Sequence, residues 1–354
     1  MNTPPKTANW FKFQLLSYKP LVSYSSLSFN QVNLVDLAKQ MPEVFDQKIG
    51  LHFLATTWHC ENGIARSVVQ AVKQAEAALP GHVFVVLSGS ETDTLLLSEA
   101  GVRTVTANSG IFINERICNV SDAREPGVGQ FDAVYNARFA TLKRHYLAKK
   151  VESLMLIYSH AGIEEEENEL VVEKAKQMFP TAFFANRELH PGAHQHLSPA
   201  MVARLLGHAK TGLILSAQEG ACRASMEYLL CGLPVVSTES IGGRERYYGA
   251  PYAKVVKGDP DAVAQGVRTM VQANLDRAAI RRHIGEIIGF ERHVFLLCVN
   301  NAVKHYLGVP ELFKNFEAFR RINQRESQTS LFVAQLQRIA GNKAGFDVQG
   351  ELLQ

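Results

Sequence analysis

From residue 48 onward the chain alternates short apolar runs with longer stretches of helical spacing. Residues 48–55 (KIGLHFLA) read as a buried strand. After a turn at Glu61-Asn62-Gly63, residues 64–79 place Ile64, Val68, Val69, Val72 and Ala75 on one helical face. Pro80-Gly81 stops that helix. Residues 82–87 form a second strand, 92–100 a short helix ended by Gly101, and 102–106 a third strand. Strands alternating with helices predict a parallel sheet with helical crossovers. Residues 121–130 are polar and contain Pro and Gly, which predicts a linker.

The alternation then restarts. Strands are expected at 131–135, 154–158, 181–185, 211–216 and 233–237, and helices at 143–153, 164–178, 198–208, 222–231 and 261–274. The acidic first turn of 164–178 suits the positive end of a helix dipole. Ser198-Pro199 is a good cap and first-turn pair. Beyond about residue 285 the pattern is mainly helical. In residues 1–47, Trp10, Phe11, Phe13, Tyr18, Tyr24 and Phe29 sit among polar residues without a clean period. The expected organisation is an N-terminal extension (1–47), a first α/β domain (48–126), a second (131–285), and a helical segment (286–354) packing back on the first domain.

Composition narrows the classes. The chain has 354 residues, of which 46% are hydrophobic and 20% charged, ordinary globular values. A net charge of +3 is too small for a nucleic-acid protein but leaves room for a local basic site. No apolar run reaches the roughly 18–20 residues of a membrane span, and the first ten residues lack a signal peptide's apolar core. Cys60, Cys118, Cys222, Cys231 and Cys298 are odd in number and scattered, so they read as buried thiols in a reducing compartment. A cytoplasmic protein is expected.

The chemistry concentrates in Ser216-Ala-Gln-Glu219-Gly220 through Glu227 to Gly232-Leu-Pro-Val-Val236. A buried strand ends, a Glu-Gly pair turns, a helix carries Glu227 on its second turn, and Pro234 opens the next strand. Ligands of open α/β sheets bind beyond the carboxyl ends of strands. There the helix after Glu219 presents free N–H groups and its positive end to a phosphate or sugar hydroxyl. Glu219 and Glu227 lie about two helical turns apart. Read alone, either glutamate is an ordinary helix acid.

The context S-x-x-E-G-(x6)-E-x-x-x-x-G-L-P-V-V resembles the E-x7-E motif of retaining GT-B glycosyltransferases, glycosyltransferase family 4 in particular. Gly242-Gly243 falls where that family has a glycine-rich loop. Residues 255–263 (VVKGDPDAV) resemble a further segment of it. Arg138 and Lys143, after the strand 131–135, match the two cations that hold the donor's diphosphate. Asn136-Ala137 and Arg144 stand where the family has glycines. Gly63, with His59 and Asn62 nearby, occupies the position of the family's first-domain glycine turn.

The resemblance implies a GT-B fold: two facing Rossmann-like domains with parallel sheets and a cleft between them. It implies transfer of a sugar from a nucleotide-sugar to a hydroxyl of a carbohydrate or lipid-linked glycan acceptor, with retention and without metal or other cofactor. Polysaccharide assembly is that family's usual business. Glu219 with Arg138 and Lys143 would form the catalytic group. Glu227, Gly220, Ala221, Cys222, Asn186, Arg187 and Gly63 would bind the donor, and His59 the acceptor. No nucleic-acid partner is expected. Peripheral contact with the inner face of a membrane is a further expectation. Two alternatives stay open: a nucleotide-sugar epimerase on the same fold, and a non-catalytic glycan- or partner-binding protein retaining it. The segment His190-Pro-Gly-Ala-His194-Gln-His196 invites a metal reading but has no acid or cysteine in ligand register.

Overall fold

A computed structural model describes residues 13–28, 31–40, 42–56, 58–119, 125–159, 165–191, 195–220 and 222–320. The chain divides into two compact units. One is built from residues up to Phe112 together with those from Gly289 onward, the other from Ile113–Ile288.

The first unit contains β1 (Phe13–Ser17), β2 (Leu21–Ser28), β3 (Gln31–Val32), α1 (Asn33–Gln40), α2 (Pro42–Phe45), β4 (Gly50–Thr56), α3 (Ile64–Ala78), β5 (Val83–Ser88), α4 (Glu91–Glu99) and β6 (Thr104–Thr106). Its sheet runs β1-β2-β4-β5-β6, with β3 also on β2. Strands β2, β4, β5 and β6 are parallel. Strands β1 and β3 pair antiparallel with β2.

The expected extension therefore supplies three strands of the first sheet, β1, β2 and β3, and the helices α1 and α2. Strand β2 pairs with β4 from Leu21↔Gly50 to Leu27↔Thr56. Its signal was hidden because its polar positions are buried: Ser23 and Ser25 are fully inaccessible. A strand buried on both faces normally reads as a continuous apolar run. One face of the sheet packs Leu54, Phe84 and Val86 on Val68, Val72 and Ala75 of α3. The other packs Leu51, Phe53 and Val85 on Phe295, Val299 and Val303 of the helix Arg277–Leu307 and on Phe316 and Phe319.

The second unit contains β7 (Phe131–Asn136), β8 (Leu154–Ile157), α5 (Glu165–Met178), β9 (Phe183–Phe184), α6 (Ala185–Leu189), α7 (Pro199–Leu206), β10 (Ala209–Ile214), α8 (Arg223–Leu230), β11 (Val235–Thr238), β12 (Ala253–Val256) and α9 (Pro260–Ala273). Then come α10 (Arg277–Leu307), which continues into the first unit, and α11 (Glu317–Arg320). The sheet is parallel, in the order β12-β11-β10-β7-β8-β9. Counted within the unit from the β9 edge, its strands run third, second, first, fourth, fifth, sixth. That is the doubly wound order, and its direction reverses between β7 and β10. The unit boundary falls at residue 113, before the expected linker, because Ile113 and Cys118 pack into the second unit's core.

Residues 143–153 do not form the expected helix. Two 3-10 turns, Thr141–Lys143 and His145–Ala148, are separated by Arg144 at φ +48°, a left-handed value that no right-handed helix passes through. The expected strand at 181–185 shortens to β9, and the loop after it winds into α6. No helix among the described residues is long and apolar enough to cross a membrane.

A buried polar chain crosses the first sheet. Ser23 Oγ lies 2.7 Å from His52 Nδ1, His52 Nε2 lies 2.8 Å from His82 Nδ1, and His82 Nε2 lies 2.9 Å from the Gln47 carbonyl. That carbonyl only accepts, so with both rings neutral His82 Nε2 donates to it, His52 Nε2 donates to His82, and Ser23 donates to His52. Burial, then the neighbouring His82, holds His52 well below its ordinary value. Burial also lowers His82. Both folded values lie below the unfolded value near 6.5, so the stability is whole above that pH. It is lost as pH falls below it, because the unfolded chain takes up protons that the folded chain refuses. We expect the urea midpoint to fall between pH 7.5 and 5.5, with up to about 1.4 kcal/mol per pH unit from each histidine. A midpoint that is flat across that range would refute this account.

Candidate functional site

The reversal between β7 and β10 is where an open parallel sheet forms its ligand crevice, and the chemistry sits at those two strand ends. Strand β7 ends at Asn136, and the chain after β10 runs through Leu215 and Ser216 to Glu219. A second backbone pairing holds this last stretch. The Glu219 amide donates to the Ile241 carbonyl at 3.1 Å, and the Ile241 amide donates to Ala217 at 3.1 Å. Gly242 follows at φ +106°, and a Cβ there would overlap the Glu219 carbonyl. Close approach and a left-handed backbone both require glycine at 242. The 3-10 turn Gly243–Tyr247 then carries Arg244 beneath the strand ends.

Lys143 Nζ donates to both Glu219 carboxylate oxygens, at 2.5 and 2.8 Å, and Ser216 Oγ donates to Oε2 at 2.5 Å. The two charged side chains are only 16% and 12% exposed. The Tyr135 hydroxyl, donating to the Lys143 carbonyl at 2.5 Å, anchors the loop that delivers the lysine. Two guanidiniums complete the cluster. Arg144 donates to the Leu215 carbonyl and to Thr238 Oγ1, each at 2.6 Å. Arg244 donates to the Ser216 carbonyl at 2.7 Å, to Ser216 Oγ at 2.8 Å and to the Thr238 carbonyl at 2.5 Å. Burial lowers the pKa of Arg144, with Arg244 acting in the same direction. Among the described residues both arginines bond only neutral groups, so one carboxylate stands among three cations.

Glu227 lies on the second turn of α8. It accepts from Arg223 Nε at 2.7 Å and from Asn136 Nδ2 at 3.3 Å. The Tyr228 hydroxyl accepts the Asn136 amide at 2.6 Å, and its ring packs where a Cβ on Gly212 would stand. Glu219 thus meets the connection that follows β7, through Lys143, and Glu227 meets the last residue of β7, Asn136.

The other expected residues are distributed as follows. Arg138 lies on the same connection, exposed and without an ion pair among the described residues. Gly220 is buried, and Ala221 lies outside the described residues. Cys222 caps the start of α8, and burial pushes its thiol up, which leaves a poor nucleophile. Asn186 and Arg187 are both engaged with other protein groups. Asn186 is fully buried, accepting the Tyr158 amide at 2.9 Å and donating to the Gln195 carbonyl at 3.0 Å. Arg187 pairs at the surface with Glu173 at 2.8 Å and Glu169 at 3.5 Å.

In the first unit, Gly63 at φ +85° starts α3, but the helix's first amides are already used. Ile64, Ala65 and Arg66 donate to Glu61, Cys60 and Gly63. The turn closes on itself, and these three amides are not free to meet a phosphate. His59, just past β4, is 1% exposed, and neither ring nitrogen has a partner among the described residues. His194 lies outside the described residues, and no cluster of three or more potential metal ligands occurs among the described ones. Sequence reasoning missed Ser216, Arg144 and Arg244 as site members. The usable signal was an arginine placed directly after a glycine pair.

No protein-family model matches the chain, and no curated protein matches it. Solved structures do match. The chain is similar to an α,α-trehalose-phosphate synthase (UDP-forming) from Burkholderia xenovorans in complex with glucose-6-phosphate, with TM-score 0.54 and 11% identity, over 76% of this chain and 69% of that one. It is also similar to the synthase of the same name from Burkholderia vietnamiensis, with TM-score 0.50 and 11% identity, over 89% and 72%. The fold is that of the GT-B glycosyltransferases, with two Rossmann-like units.

Two glycine substitutions separate strain from steric overlap. Gly63→Ala meets open space at a left-handed backbone and is expected to cost about 1–2 kcal/mol. Gly242→Ala adds overlap with a backbone carbonyl and is expected to cost about 2–4 kcal/mol. Equal denaturant midpoints for the two variants would contradict the close approach of the 242 loop.

Proposed function

We propose that the chain is a glycosyltransferase that moves a sugar from a nucleotide-sugar to a hydroxyl of a carbohydrate or lipid-linked glycan acceptor, with retention and without a metal. One observation carries the reading. A carboxylate stands among three cations at the switch point of a doubly wound sheet, and two of those cations are bonded only to neutral groups. Unneutralised positive charge at a strand end attracts an anion, and fixed cations are what a departing phosphate needs. The shared fold supports the class: a solved neighbour is described as a UDP-forming synthase.

In this reading the bond from the anomeric carbon to the diphosphate breaks, and its electron pair leaves with the nucleoside diphosphate. A bond to the acceptor oxygen forms, and that oxygen's proton passes to the departing diphosphate. Lys143 and Arg138 take the departing phosphate, with Arg144 and Arg244 adding field from below. Glu219 holds hydroxyls of the sugar, and Glu227 the ribose. A carboxylate accepts a pair of neighbouring hydroxyls well. We assign His59 to the acceptor, because an orphaned buried imidazole stands past the carboxyl end of β4.

Calorimetry with UDP, GDP, ADP and TDP tests the reading. We expect one of them to bind, and Lys143→Ala to weaken it roughly 10–100-fold, the loss of one charged hydrogen bond. In single-turnover reactions with the matching nucleotide-sugar, Glu219→Ala is expected to slow transfer at least tenfold. Binding of none of the four would overturn the proposal. A new nucleotide-sugar formed without acceptor would show an epimerase instead.

A further inference from the structure

We infer that Arg244 is a positioning residue for Glu219, acting through the hydroxyl of Ser216. The inference rests on the reading above and adds a residue that reading leaves as background charge. The hydrogen bonds have only one consistent direction. A guanidinium donates and never accepts. Arg244 Nη1 points at Ser216 Oγ from 2.8 Å, so that oxygen is an acceptor there. The single hydroxyl proton then goes to Glu219 Oε2, 2.5 Å away. Arg244 is 1% exposed and is also bonded to the carbonyls of Ser216 and Thr238, so the far end of the chain is rigid. Its Nε has no acceptor among the described residues, an unmet buried donor that an apolar residue of similar volume would not carry.

The relay matters because the other hold on Glu219 is contested. Lys143 Nζ grips both carboxylate oxygens here. A donor diphosphate is a dense anion and competes for that ammonium. As Lys143 turns to the phosphate, Glu219 keeps Ser216 as its side-chain partner among the described residues. Without it the carboxylate swings free when it must meet the sugar, and a carboxylate that must be ordered again at each turnover loses rate.

The test uses the full chain and three variants, Ser216→Ala, Arg244→Lys and the double. Ser216→Ala removes only the hydroxyl link and leaves Arg244's bonds to the carbonyls of Ser216 and Thr238. We expect its affinity for the nucleoside diphosphate to stay within about twofold while kcat with the nucleotide-sugar falls about 10–100-fold, the value of a hydrogen bond to a charged group. Arg244→Lys is expected to lower kcat by a similar factor. The double variant should be no slower than the slower single one, because coupled residues are not additive. An unchanged kcat for Ser216→Ala with an active wild type would overturn this inference alone. Losses that multiply in the double variant would also overturn it, showing that Arg244 acts independently. Wild-type protein that binds none of UDP, GDP, ADP or TDP would remove the proposed function and this inference together.

Discussion

The second unit is organised around a sheltered ion pair, Lys143 with Glu219, at the reversal of strand order. A pair on an open surface is worth about 0–1 kcal/mol and constrains little. A pair this enclosed is different. Removing either partner leaves a charge with little water, at a cost of about 3–5 kcal/mol. The partners come from connections 76 residues apart, so the pair ties the chain after β7 to the chain after β10. Tyr135 holds the lysine's backbone, and the pairing of residues 217–219 with Ile241 holds the glutamate's. The surrounding geometry is built to keep these two side chains within reach.

That building uses backbone acceptors in unusual number. Arg144 and Arg244 bond the carbonyls of Leu215, Ser216 and Thr238, at the carboxyl ends of β10 and β11. Further back, Arg277 donates to the carbonyls of Leu206, Ala209 and Cys231, which fastens the start of α10 to the ends of α7 and α8. Arginine suits both tasks, since its planar fork meets several fixed acceptors without losing charge. The consequences differ. Around Arg277 the positive charge meets the carbonyl-rich ends of helices, where it is stabilising. Beneath the switch point neither arginine bonds a carboxylate among the described residues.

The parallel alternation of β4 to β6 and of β7 to β11 is legible in the chain, because those strands are apolar and most of the helices between them periodic; β12 is not. The partners of the two glutamates were only half legible. Lys143 is reached only through the family resemblance, in which Arg144 stands where a glycine is usual, and Arg244 carries no signal beyond the glycine pair before it. Their roles depend on carbonyls brought together by strands from distant parts of the chain, which no local window contains. Strand β2 was missed for a related reason. Ser23 is tolerated in the core because its hydroxyl has a partner, a histidine 29 residues away. Asn186 shows the reverse error. A polar side chain after a strand end looks like a ligand group, yet Asn186 is fully buried, with its amide bonded to the backbone of Tyr158 and Gln195.

These cases share one criterion for separating scaffold from site. A buried polar group whose bonds are all met by fixed neighbours, such as the His52–His82 chain, has nothing left for a ligand. A buried charge balanced only by dipoles keeps a long-range field, whatever the quality of its hydrogen bonds. By that criterion the amides at the start of α3 are scaffold, because they are already bonded within their own turn. The strand ends beneath Glu219 are site, because their cations outnumber their carboxylates. Glu227 falls between: its contacts with Arg223 and Asn136 leave a carboxylate with acceptor capacity to spare, held by side chains that can move aside more easily than a backbone. The rigid and charged part of the site therefore gathers around Glu219, and the adjustable part around Glu227. Such a division suits a ligand whose phosphate must be held by fixed charge while its attached groups vary in shape.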